Sequence, residues 1–124
     1  MVVNFGHTIG HAIELLSKFE LPHGYCVGYG ILAETKIAEI LGVLTLEDRA
    51  YAENYLARFG ITAEPLKRFS IAEIIDATKS DKKTRAGMPQ YVLLKGIGSI
   101  LVKDGQYAHP VEDRIVQQAL EALG

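Results

Sequence analysis

A mainly α-helical bundle carrying one small β-hairpin is the fold that this 124-residue sequence predicts. Apolar residues recur at spacings of three and four through most of the chain, as amphipathic helices require. Glycine and proline breakers divide those stretches into helix-sized pieces. Only "PQYVLLKGIGSILV" reads instead as β-branched and aromatic runs flanking a glycine turn.

The first helix is predicted over Thr8 to Phe19, where Ile9, Ala12, Ile13, Leu15, Leu16 and Phe19 form the apolar face. "ELPHGY" interrupts it through Pro22 and Gly24. A second helix should run from about Tyr25 to Leu41 and stop at Gly42, a common C-terminal signal. Its first half is apolar on most sides (Val27, Ile31, Leu32), which predicts a central position. Gly28 and Gly30 lower its intrinsic propensity, so another backbone or a ligand should approach closely there. Thr45, with Asp48 three residues on, opens a third helix ending at Phe59-Gly60. Ser70 and Glu73 form a capping box for a fourth, through about Lys79. Tyr91 to Leu94 and Ile100 to Val102 then flank the turn Lys95 to Ser99 as a hairpin, and "KDGQY" adds a second turn. Val111, Ile115, Ala119 and Leu123 mark a last helix, closed by Gly124.

The composition, 48% hydrophobic and 23% charged, is that of a globular chain with one core; residues 1–124 form a single helical domain. A net charge of -2 offers no basic surface for nucleic acid or an anionic membrane. No apolar run reaches the roughly 20 residues of a membrane span. The single cysteine, Cys26, forms no internal disulfide and suits a reducing compartment, so a cytoplasmic location is expected. "MVVNFGH" leads directly into the most distinctive motif, which suggests a piece of a larger protein.

That motif is "NFGHTIGHAIE", positions 4 to 14. At about 3.6 residues per turn, His7 and His11 lie on one helix face. An isolated His-x-x-x-His is as readily a packed or surface pair as a ligand pair. His23, in the breaker that follows, can fold back along the helix, so three of the four histidines could converge. Neutral imidazole is a common zinc ligand, and catalytic zinc typically takes three protein ligands with one position open. Glycines 6, 10 and 24, each next to a histidine, would leave room for a substrate. His109, in a late turn between Ala108 and Pro110, reads as a surface residue.

"NFGHTIGHAIE" followed by "PHG", with the later "SDKKTRAG" and "YVLLKGIG", resembles the C-terminal domain of 3-dehydroquinate synthase and the related sugar-phosphate cyclases over about positions 4 to 102. The resemblance implies a dehydroquinate synthase-like helical domain, a C-terminal fragment of a two-domain enzyme whose N-terminal NAD-binding domain is missing here. It implies that His7 and His23 ligate a catalytic divalent metal, zinc or cobalt. His11 would line the substrate site near the phosphate, Asn4 would contact substrate, and the Asp81-Lys82-Lys83 segment would supply a phosphate-binding lysine. The motif alone does not decide between the lysines; Lys82 is chosen over Lys83.

The implied reaction converts a phosphorylated sugar acid, 3-deoxy-D-arabino-heptulosonate 7-phosphate, into 3-dehydroquinate and phosphate within the shikimate pathway. NAD takes up and returns a hydride, bound mainly by the missing domain, and the full-length enzyme would be a homodimer. The chain alone would be inactive. Tyr25 stands where the family commonly has an acidic residue, which leaves a paralogous cyclase open. A non-catalytic metal-binding helical module is the other alternative. A metal-dependent glycerol or alcohol dehydrogenase ranks last, since it explains neither "NFGHT" nor "DKK".

Overall fold

The computed structural model describes residues 6–79, 89–96, 99–100 and 108–123. Its elements in chain order are α1 (His7–Leu16), α2 (His23–Ile40), α3 (Leu46–Ala57), a 3₁₀ turn (Glu64–Arg68), α4 (Ile71–Thr78), β1 (Gln90–Val92), β2 (Leu94–Gly96), β3 (Ser99–Ile100), β4 (Ala108–Pro110) and α5 (Asp113–Leu123). The domain is mainly helical, as its periodicity predicts.

α2 is the central element: α1, α3 and α5 all pack on it, and α4 packs on α1 and α5. The core is built from Ile9 and Ile13 of α1, Ala33 and Ile37 of α2, Ile74 of α4, and Val116 and Ala119 of α5. Gly30 explains how closely α1 and α2 approach. A Cβ on Gly30 would lie 1.9 Å from the Gly6 carbonyl oxygen and 2.8 Å from the Gly10 nitrogen. Gly28 instead makes room for the Ile61 side chain. The close approach predicted at these two glycines is therefore protein against protein.

α1 stops at Leu16, short of the predicted Phe19. Lys18 and Phe19 both adopt the left-handed region, at φ 56° and 63°, and the Phe19 amide donates back to the Glu14 carbonyl. Ser17 Oγ donates to the same carbonyl. This tight reversal leaves Phe19 exposed rather than on the core face, and it lets α2 begin at His23, two residues before the predicted start.

Thr45 caps α3 by accepting from the Asp48 amide. α3 has no buried residue and is tied to α2 through Arg49, which donates to Glu39 at 3.0 Å. The hydrogen bond from Lys36 and the Arg49 charge hold the Glu39 carboxyl below the usual range. At α4 the Ser70–Glu73 capping box is complete in both directions.

The strand region differs in detail from a single hairpin. β2 pairs antiparallel with β3 around the predicted turn, but β1 pairs with β4, setting Tyr91 opposite His109. The chain divides at Leu93, which is buried in the core between the two short ladders. Tyr91 is buried too, hydrogen-bonded to Thr78, and burial first, then the Glu34 and Asp113 charges, raise its phenol above the ordinary range. His109 is thus a half-buried strand residue, not a surface residue in a turn. Leu101, Val102 and the "KDGQY" turn lie outside the described residues.

Candidate metal centre

The site is built where α1 begins and α2 returns beside it. Gly6 caps α1 at φ 79°, a left-handed conformation that favours glycine. A Cβ there would also lie 2.6 Å from the Val27 carbonyl oxygen. His7 follows as the first residue of α1, and Thr8 donates to the Gln90 carbonyl, fastening this end of the helix to β1. A Cβ on Gly10 would lie 2.7 Å from the Cys26 carbonyl oxygen. Gly6 and Gly10 therefore serve helix packing and do not open space for a substrate; of the three glycines beside the histidines, Gly24 alone faces open space.

The reversal after Leu16 brings His23 back onto α1. The His7 and His23 rings meet edge to face, with centroids 5.5 Å apart and planes at 87°. His23 Nδ1 lies 2.9 Å from Glu14 Oε1, and His11 Nδ1 lies 3.7 Å from the same oxygen. The three predicted histidines thus do share one patch: His7 and His23 touch, and His11 joins them across Glu14. The Glu14 side chain is largely buried, whereas those of His11 and His23 are exposed.

Glu14 belongs to the same motif, but spacing alone assigns it no role. The available signal was its position, three residues after His11 and seven after His7, on the same helix face. Cys26 is close but has other chemistry. Burial, with the Glu14 charge adding to it, pushes its thiol up to about 11. The neutral thiol points to the Leu21 carbonyl at 3.7 Å.

His7 and His23 suit a divalent ion of intermediate softness. Two imidazoles on one tetrahedral ion, with bonds of about 2.0–2.1 Å, place their ring centroids roughly 5 Å apart. The observed 5.5 Å is compatible with that. Among the described residues no group of three or more His, Cys, Asp or Glu could hold a metal, so two ligands are what this region offers. Asn4, Lys82 and Lys83 lie outside the described residues.

The fold is shared with part of two larger solved synthases. The structure superposes on 2-deoxy-scyllo-inosose synthase complexed with carbaglucose-6-phosphate, NAD+ and Co2+ with a TM-score of 0.84 at 22% identity, covering 98% of this chain and 33% of that one. It matches 2-epi-5-epi-valiolone synthase from Streptomyces hygroscopicus, with NAD+ and Zn2+ bound, with a TM-score of 0.74 at 24% identity, covering 98% and 32%. At the level of sequence, the profile described as 3-dehydroquinate synthase C-terminal matches residues 1–84, and the chain belongs to that family. The 3-dehydroquinate synthase of Nostoc punctiforme is 35% identical over 123 residues, covering 98% of this chain and 32% of the relative. That of Sulfurisphaera tokodaii is 39% identical over 98 residues, covering 76% and 27%. The chain spans about a third of the length of the curated relatives it matches.

Proposed function

We propose that these 124 residues are the metal- and phosphate-binding domain of a 3-dehydroquinate synthase. The enzyme is a cytoplasmic, homodimeric carbon-oxygen lyase that converts 3-deoxy-D-arabino-heptulosonate 7-phosphate to 3-dehydroquinate and phosphate. The edge-to-face pair of His7 and His23, inside the segment that matches the family, carries this reading.

His7 and His23 would hold zinc or cobalt, with the third protein ligand and the NAD site supplied by a domain beyond these residues. When bound, the ion supplies Lewis acidity at the substrate hydroxyls and NAD accepts and returns the hydride. This chain's own groups bind and orient. His11, exposed one turn beyond His7, presents its ring to solvent beside the pair, where it can donate to a phosphate oxygen. Asn4 contacts the substrate, and Lys82 adds a positive charge at the phosphate. Two observations support that use of Lys82: α4, which precedes its segment, packs on α1, and Gln90, which follows it, accepts from Thr8 of α1. Both flanks of the lysine segment are thereby tied to the helix that carries His7 and His11.

Calorimetry of zinc binding tests the metal assignment. His7→Ala and His23→Ala should each weaken zinc at least tenfold, and unchanged affinity in both would remove the metal centre. A second reading, a paralogous cyclase, is favoured by Tyr25 beside His23 and by the structural likeness to other cyclases. Turnover of a panel of sugar phosphates by the full-length protein separates the two.

A further inference from the structure

We infer that Glu14 is a positioning residue for His23, fixing the imidazole proton on Nδ1 so that Nε2 is left as the donor for a metal ion. The inference rests on the metal-centre reading above and adds to it a residue and a tautomer. Glu14 violates three local preferences at once. It sits in the last turn of α1, where the helix dipole disfavours a carboxylate. It is only 8% exposed, so its charge is largely withdrawn from water. It also stands between apolar neighbours, Ile13 and Leu15, where an apolar residue would serve the helix as well. A buried carboxylate against such preferences signals a specific partner.

The partner is His23, whose Nδ1 lies 2.9 Å from Glu14 Oε1. An ionised carboxylate only accepts, so Nδ1 must carry the hydrogen and donate it. That tautomer is the minor one for a free imidazole in water. Holding it also turns Nε2, on the other side of the ring, away from the carboxylate. The His7 and His23 ring centroids are 5.5 Å apart, so a second imidazole stands beside the ring that Glu14 holds. A carboxylate that accepts from the non-ligating nitrogen of a metal-bound histidine orients the ring and raises its basicity, and losing it typically costs about 10–100-fold in metal affinity.

Nitrogen-resolved NMR of the imidazoles in the metal-free 124-residue chain, at mildly alkaline pH, reads the tautomer directly. The expected result is a protonated Nδ1 and a bare Nε2 on His23. In Glu14→Ala the proton should move largely to Nε2 and zinc affinity should fall by about 10–100-fold. Glu14→Gln, which keeps an acceptor oxygen and the side-chain shape, should retain the Nδ1 proton and lose less affinity. A wild-type His23 protonated on Nε2 overturns the inference, as does a folded Glu14→Ala with unchanged tautomer and unchanged affinity. If Glu14→Ala does not fold, the wild-type tautomer and Glu14→Gln still decide. Undiminished zinc binding by His7→Ala and His23→Ala would instead defeat the metal centre itself, whichever tautomer is found.

Discussion

Cys26 lies three residues beyond His23, fully buried, and tests how individual groups respond to this environment. Its thiol is raised from 9.0 to about 11, so the folded chain keeps a proton that the unfolded chain releases. Below pH 9.0 both states hold that proton; between 9.0 and about 11 only the folded state does, so stability falls as pH rises through that window. Denaturant titrations across the alkaline range should therefore show a steeper loss in the wild type than in Cys26→Ala, which has no thiol to titrate. Parallel slopes would mean that the thiol is not shielded. The same scale shows what a sequence can reveal. The i, i+4 spacing of His7 and His11 needs only helical geometry, so it is legible. The role of Glu14 depends on where the chain goes after Ser17, through two left-handed non-glycine residues that spacing does not announce.

Between α1 and α2 the decisive quantity is backbone proximity. Gly30→Ala gains helix propensity of about 1 kcal/mol. It also drives a Cβ to 1.9 Å from the Gly6 carbonyl oxygen, which belongs to backbone and cannot swing aside. The clash wins, and we predict a net destabilisation of about 3 kcal/mol or more in chemical unfolding. Gly24→Ala, with open space around it, should be neutral or stabilising by up to about 1 kcal/mol. Equal effects of the two substitutions would refute this account of the interface. Helix existence, the Thr45 and Ser70 caps and the centrality of α2 were legible, because each follows from local chemistry or from a nearly all-round apolar surface. Strand partnership was not: β1 and β4 are separated by Leu93 to Tyr107, and no local signal in the sequence sets Tyr91 opposite His109. The glycines beside His7 and His11 misled for a related reason, since a missing side chain looks the same whether a ligand or a helix fills the space.

For the molecule as a whole, the chain corresponds to about a third of its curated relatives and offers two imidazoles and no third ligand among its described residues. The purified chain given NAD, zinc and sugar phosphate should show no cyclase turnover if, as proposed above, the hydride acceptor is bound by a domain beyond these residues. Turnover would require a complete active centre within these residues. Zinc X-ray absorption on the loaded chain tests the pairing of His7 and His23 most directly. The wild type should show two imidazole nitrogens at about 2.0–2.1 Å, and His23→Ala should show one. A shell without imidazole, or one unchanged in both His7→Ala and His23→Ala, would contradict the metal centre on which the functional assignment stands.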